Sequence, residues 1–484
     1  MLTKIWSVAS MGLNPIEVEV EVNVASRGFP GFNIVGLPTK AVEEAKERVR
    51  TALINTGVEF PAKKITVNLA PADIPKEGSA YDLPIAVGVL VSNEEIELDS
   101  NGKFFYGELG LDGKLRHTKG VFLVASLAKD KGIKEVFVPR LTANEASVVE
   151  GIKVYPVASL MELIRHFKKE KLIRPLKPVD RSEVLEDAEA EFDLAEVAGQ
   201  EQAKRALEIS AAGGHNLLMV GPPGAGKTML ARALPGILPL LTEPEALEVT
   251  RIYSVTGNIE PGGGLIRRRP FRSPHHTTSR MGLIGGGSQP MPGEISLAHR
   301  GVLFLDEFAE YPRATLEALR QPLEDGIVNV VRVAGSVKFP AQFMLVAASN
   351  PCPCGYLNHP KKPCICLPGA ILRYQKRLSG PVLDRIDLHV NVPFVEVEKL
   401  RLSISGAKSS ETSEVVRLRV VTARAIQEKR FTGEKIYSNA EMKNKQIKKF
   451  CKLSEEAERL LMQATDKWQL SARSYFRVIK VSLT

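Results

Sequence analysis

The chain has 484 residues, 44% of them hydrophobic and 25% charged, which is enough to bury sizeable cores in roughly two to four domains and excludes general disorder. No apolar run approaches the ~18 residues of a membrane span, and MLTKIWSVAS lacks a long apolar stretch before a small-residue cleavage site, so a cytoplasmic protein without a membrane partner is expected. The net charge is +9, and 19 Lys+Arg against 11 Asp+Glu fall between Glu396 and Thr484, a surplus suited to a polyanion such as nucleic acid or to a solvated lysine-rich helical surface.

In chain order, Ile16, Val18, Val20, Val22 and Val24 alternate with polar residues and predict a half-buried strand. A helix over AVEEAKERVRTALINTG places Val42, Ala45, Val49 and Leu53 on one face and stops at Gly57. A strand follows at KITVNLA, and strand and helix alternate through YDLPIAVGVL, VFLVASLAKDKG, EVFVP and ASLMELIRHF. This is an α/β domain over residues 1–170. Residues 171–192 turn proline- and acid-rich and read as a linker.

A second domain, 193–393, carries the strongest motif. The apolar LLMV runs into Gly221, Pro222, Pro223, Gly224, Ala225, Gly226, Lys227 and Thr228, then into MLARAL, which fits G-x-x-x-x-G-K-[ST] between a strand and a helix. Backbone N–H groups of such a loop wrap a β-phosphate, Lys227 neutralises β- and γ-oxygens, and Thr228 ligates Mg²⁺. Further on, GVLFLDE ends a buried strand in Asp306, a second holder of the Mg²⁺ shell, and Glu307, which polarises the attacking water. FMLVAAS delivers Asn350, placed to read a γ-phosphate or orient that water.

Between these motifs, glycine-flanked loops carry Arg267, Arg268, Arg269, Arg272 and Arg280, suited to phosphate contacts. A hairpin over NVVRVAGSVKFPAQF, turning at Ala334–Gly335, adds Arg332 and Lys338. Adjacent His275 and His276 do not easily face one metal, so loop packing or contact with an acid is expected of them. Cys352-Pro-Cys354 and Cys364-Ile-Cys366 offer four thiolates that a tetrahedral Zn²⁺ could gather, with His359 as a substitute and reduced packing thiols as the plain alternative. After Pro393 the β signal fades. Helices are predicted at EVVRLRVVTARAIQEKR, NAEMKNKQIKKF, SEEAERLLMQAT and SARSYFRVIKVSLT, the last without a Gly, Asn or Pro exit, as in a chain cut short.

GPPGAGKT, LFLDE, AASN, VLDRID and the helical SAR together resemble a AAA+ ATPase. That resemblance implies ATP and Mg²⁺ as cofactors and a base-side element at LAEVAGQEQAKRALEIS, with Val197, Gly199 and Gln200. It also implies that Arg385 is an arginine finger for a neighbour's ATP and Arg473 the sensor 2 arginine, so that the chain works in a homo-oligomeric ring, a hexamer. From the residues alone, Arg385 could equally pair with Asp384 or Asp387, and Arg473 could be an exposed helix charge. The insertions EPGGGLIRRRPFRSPHHTTSRMGLIGGGSQPMPGEISLAHRG and NVVRVAGSVKFPAQF are similar to the helix-2 insert and pre-sensor 1 hairpin of the clade with magnesium chelatase ATPases and MCM helicases. With RPFRSPHHTTS and NPCPCG, the whole chain resembles the magnesium chelatase-like ComM/YifB family.

The N-terminal domain resembles that of Lon protease and RadA, through APADIPKEGSAYDLPIAVGVL and GELGLDGKLRHTKGVFLVASLAKDKGIKEVFVP. Carried over, the nucleophile position falls on Ala80 and the catalytic lysine on Phe122, so the protease dyad is missing unless Ser79 and Lys76 replace it. The architecture expected is therefore an α/β multidomain chain: a Lon/RadA-like domain, a AAA+ P-loop core, and a helical lid over 394–484. The family implies a Mg·ATP-driven DNA motor acting on single-stranded and branched DNA, a branch-migration helicase aiding integration of single strands in natural transformation and recombination. The alternative is a chelatase-type ATPase remodelling a partner for metal insertion into a porphyrin.

Overall fold

The computed structural model describes residues 2–25, 29–178, 191–287, 290–332, 335–378, 380–395, 411–434 and 436–484; most of the linker and Val333–Ala334 of the hairpin lie outside them. The fold is mixed α/β and divides into two compact units, Met1–Leu185 with Glu243–Arg267, and Glu186–Thr242 with Arg268–Thr484.

The first unit is built on a seven-stranded sheet ordered Gly31–Val35, Lys64–Ala70, Asn14–Val24, Leu2–Met11, Lys103–Phe105, Glu135–Pro139 and Lys153–Val157. The alternation read from Ile16 onward is real: Val18, Val20, Val22 and Val24 all point into the core, each burial contributing about 1.5–3 kcal/mol. Leu2–Met11, antiparallel to Asn14–Val24 from Leu2↔Asn23 to Met11↔Asn14, has no counterpart among the expected elements. Two of its inward positions are the polar Thr3 and Ser7, and Ser7, Val8 and Ala9 are buried in succession, so the residue types show no period of two. The first helix begins as expected but breaks at Glu44 into Lys40–Glu43 and Ala45–Asn55, with Val42, Ala45, Val49 and Leu53 fully buried.

Helix Glu243–Thr256 also belongs to this unit, although its sequence lies between the phosphate-loop helix and the arginine-rich loops. The Arg251 guanidinium donates to the Leu13 carbonyl, and the Ser254 hydroxyl donates to Glu145 at 2.7 Å while accepting the Phe122 N–H at 3.2 Å. Burial pushes the Glu145 carboxyl up to about 7. Ser79 and Lys76 do not form a replacement dyad: Ser79 donates to Glu108, and the fully buried Lys76 donates to the Pro71 carbonyl. Ala80 and Phe122 are packed in the interior.

The second unit has a five-stranded, wholly parallel sheet ordered Phe271–Arg272, Val302–Leu305, Met344–Ser349, Leu217–Val220 and Leu388–Asn391. Its near-continuous apolar strands are those of a sheet covered on both faces. The hairpin pairs Ile327–Arg332 with Gly335–Pro340; Gly335, expected in the turn, is already in the ladder opposite Arg332. Helices Ser413–Arg430, Glu455–Trp468 and Ala472–Ser482 follow where the sequence patterns put them, whereas NAEMKNKQIKKF is broken at Met442–Lys443 into a single 3-10 turn, Asn439–Glu441, and a helix, Asn444–Phe450. Thr412, Ser454 and Ser471 cap three of them, and Phe431, Met442, Ile447, Leu461 and Ile479 form a small core of their own.

Candidate functional site

Leu217–Val220 lies between Met344–Ser349 and Leu388–Asn391, and ligands of open parallel sheets gather at the carboxyl ends of such strands. Residues 221–226 leave that end and turn into helix Lys227–Ile237 through Gly224 and Gly226, whose φ values of +76° and +88° suit residues without a Cβ. Lys227 is buried, and its ammonium donates to the carbonyls of Gly221 at 2.7 Å and Pro222 at 2.9 Å and to Asn350 Oδ1 at 3.2 Å. Burial lowers its pKa from the usual lysine value, which favours an anion as its next partner.

The two neighbouring strands supply the acids and the amide. Asp306, just past Val302–Leu305, accepts the Thr228 hydroxyl at 2.8 Å through Oδ2 and the Glu307 N–H at 2.8 Å through Oδ1. Glu307 has a left-handed backbone, φ +50°, and its carboxylate lies 2.9 Å from His276 Nδ1. This is the acid contact expected of the histidine pair. Pro223 to Met229, Asp306, Glu307 and Ala348 to Asn350 line one cleft of about 370 Å³. Lys227, Thr228, Asp306, Glu307 and Asn350, scattered over more than a hundred residues, are thus brought together.

Upstream of the loop, Val197 is buried and approaches Gly226, and Gly199 and Gln200 both have left-handed backbones, with φ values of +64° and +61°. The Gln200 amide donates to Ala225 O at 3.1 Å and Pro393 O at 2.7 Å, while its buried Oε1 accepts no hydrogen bond. A buried acceptor left open beside the phosphate loop fits a ligand amino group.

Arg385 and Arg473 are absent from the lining of this cleft. They converge instead on Glu324, from helix Arg320–Asp325. Arg385 donates to one oxygen of its carboxylate and to the Pro381 carbonyl, and Arg473 donates to the other oxygen at 2.6 Å. Neither Asp384 nor Asp387 takes Arg385; Asp387 accepts from the Asn216 N–H at 3.0 Å and lies 3.3 Å from Arg477. The Arg385 guanidinium, foremost, holds the Glu324 carboxyl below the ordinary carboxylate range, and nothing in the sequence had singled Glu324 out.

Arg268, Arg269 and Arg272 all have partners within the chain. Arg269 donates to the carbonyls of Pro239 and Arg300, and Arg272 makes a two-pronged pair with Glu294 at 2.7 and 2.8 Å, so both are tied within the chain. Arg267 and Arg268 are half-buried, Arg280 is exposed at the start of Arg280–Ile284, and Lys338 is exposed on the hairpin opposite Asn329.

The four cysteines meet. Cys352 Sγ lies 3.4 Å from Cys354 and 3.7 Å from Cys364, Cys354 and Cys364 are 3.6 Å apart, and all four sulfurs fall within 4.8 Å of one another. Four thiolates at the usual Zn–S distance stand ~3.8 Å apart around a tetrahedral ion. The Tyr356 N–H pulls the Cys354 thiol down to about 6. His359 is turned to other work, its Nδ1 accepting the N–H groups of Lys361 and Lys362. Gly355, φ +82°, lies against the phosphate loop, where an added Cβ would come within 2.6 Å of Pro223.

The sequence matches the family described as Magnesium chelatase, subunit ChlI, over residues 193–400, Subunit ChlI of Mg-chelatase over 20–142, and Magnesium chelatase, subunit ChlI C-terminal, over 410–484. It is 45% identical to Competence protein ComM of Haemophilus influenzae over 100% of this chain and 93% of the relative. It is 43% identical to YifB of Escherichia coli, over 100% and 92% of the two chains, and 43% identical to YifB of Salmonella typhimurium, over 98% and 91%.

Proposed function

Because the chain belongs to the magnesium chelatase-like ComM/YifB family of AAA+ proteins, we propose that it is a Mg·ATP-driven ring motor on DNA, a branch-migration helicase that helps single strands integrate during transformation and recombination. The observation that carries this reading is the division of the site. One cleft gathers Lys227, Thr228, Asp306, Glu307 and Asn350, while Arg385 and Arg473 converge outside its lining, as charges meant for a neighbour's nucleotide would.

In this reading Lys227 exchanges the carbonyls of Gly221 and Pro222 for β- and γ-phosphate oxygens. Thr228 and Asp306, already joined, are the residues that would hold Mg²⁺, which would supply neutralising charge at the phosphates. Glu307 accepts a proton from the attacking water, Asn350 orients the γ-phosphate, and Gln200 faces the base. Arg385 and Arg473 stabilise the transition state in the adjoining subunit of a hexamer, and residues 394–484 act as the lid. Arg267, Arg268, Arg280, Arg332 and Lys338 contact DNA phosphates.

Cys352, Cys354, Cys364 and Cys366 are the residues that would hold Zn²⁺, and four thiolates would make it structural, with no position open to a substrate. Through Gly355 the site braces Pro223 and the segment bearing Asn350. Elemental analysis should find about one zinc per chain; a metal-free, fully active preparation would exclude it.

The second reading, a chelatase-type remodeller, has the family descriptions in its favour. ATPase rates with and without single-stranded or branched DNA decide between them: stimulation supports the motor, and indifference to DNA supports the remodeller.

A further inference from the structure

Glu324 holds two cations with one carboxylate. Arg385 is tied to one oxygen and Arg473 to the other, from positions 61 and 149 residues distant in sequence. The side chain of Arg385 is only 11% exposed, whereas that of Glu324 is 47% exposed, so the acid can swing into solvent while the guanidinium stays. Arg385 Nε is buried and has no hydrogen-bond partner, which leaves a donor on this arginine unmatched by Glu324. Two guanidinium groups facing one anion through separate oxygens is also how a terminal phosphate is gripped, and a phosphate brings more charge and a third oxygen.

We propose that Glu324 is a placeholder anion: its carboxylate occupies, between Arg385 and Arg473, the position that the terminal phosphate of a neighbouring subunit's nucleotide takes, and the phosphate displaces it. The inference rests on the reading above, in which both arginines serve a neighbour's nucleotide. Displacement has a cost that nucleotide binding must meet, so Glu324 raises the ATP concentration at which the ring fires. A carboxylate that keeps the pair occupied about nine-tenths of the time weakens the competing anion about ten-fold. Partial exposure of the pair brings the expected effect to about three- to ten-fold.

The test is an ATP titration of steady-state ATPase in the full-length protein, with ATP-dependent assembly followed by sedimentation. Glu324→Gln keeps the volume and removes the charge; it should lower the ATP half-saturation of both processes about three- to ten-fold. Glu324→Asp keeps the charge and should remain within about two-fold of wild type. An unchanged or raised half-saturation in Glu324→Gln overturns the placeholder, because a merely structural carboxylate would leave it there or weaken binding. Arg385→Ala and Arg473→Ala separate the two levels. If both leave turnover intact, the reading of the arginines fails; if they abolish turnover and Glu324→Gln leaves half-saturation unmoved, only the placeholder fails.

Discussion

His276 Nδ1 stands 2.9 Å from a carboxylate oxygen of Glu307, the residue that follows Asp306. Glu307 is 54% exposed on its side chain and has a backbone that costs a non-glycine residue about 1–2 kcal/mol, so its carboxylate needs an outside tether to keep one orientation. His276 is that tether.

Three substitutions separate the roles in the cleft. Lys227→Ala should weaken nucleotide binding, since it removes the charge set against the phosphates, whereas Glu307→Gln should bind ATP and stop turnover. His276→Ala should lower turnover in the wild-type background and add nothing to Glu307→Gln, because a tether has no effect once the tethered carboxylate is gone. A fluorescent-nucleotide titration and phosphate release measure the two sides. Equal loss of nucleotide affinity in Lys227→Ala and Glu307→Gln would refute the assignment.

Arg385→Ala should abolish turnover and leave ATP binding to the isolated subunit largely intact, because its charge reaches a nucleotide only across the interface of an assembled ring. Mixing reveals the sharing. Wild-type protein doped with the variant should lose activity more than proportionally; strictly proportional loss would mean that Arg385 acts within its own subunit.

The nucleotide cleft was legible because its chemistry is carried by contiguous motifs: GPPGAGKT and LFLDE fix residue type and spacing over a few positions each. Asn350 was legible from its place after a buried apolar strand. Glu324 was not, since QPLEDG is an ordinary helix end and its partners Arg385 and Arg473 are remote in sequence. The same distance hid the ties of Arg269 and Arg272, which resembled their neighbours in a run of arginines until Pro239, Arg300 and Glu294 were brought to them. Helix Glu243–Thr256 shows the limit for domains: its attachment to the first unit depends on Arg251 and Ser254 meeting Leu13 and Glu145, which no local pattern announces.

Glu145 gives the first unit a pH dependence of definite sign. Below its ordinary value of 4.5 the carboxyl is protonated in both folded and unfolded chains; between there and about 7 only the folded chain keeps the proton, so stability falls as pH rises through that window and levels off above it. The loss amounts to about 3 kcal/mol, in a side chain that is almost wholly buried. Asp82, pushed up to about 6 chiefly by burial, adds a slope of the same sign. Glu145→Gln should therefore flatten urea-unfolding midpoints between pH 5 and 7.5 in part. Trp6 fluorescence, with Trp468 replaced by Phe, reports this unit. Identical pH profiles for variant and wild type would remove Glu145 from the account.

The hairpin supplies the test of the DNA path. Lys338 is exposed opposite Asn329, and Arg332 stands opposite Gly335 where the two strands end. Lys338 is absent from the lining of the nucleotide cleft. Replacing both by Ala should therefore weaken DNA-stimulated ATPase more than basal ATPase. Binding frees counterions as basic side chains neutralise phosphates, so the plot of log K against log salt should become shallower by about 0.9 for each cation removed on duplex and by about 0.7 on single strands. The ratio of stimulated to basal rate is the discriminating quantity, because general damage to the fold lowers both together. If the two rates fall equally and the salt slope is unchanged, the hairpin is structural, the DNA runs over Arg267, Arg268 and Arg280 or not at all, and the chelatase-type remodeller becomes the better reading of the same cleft.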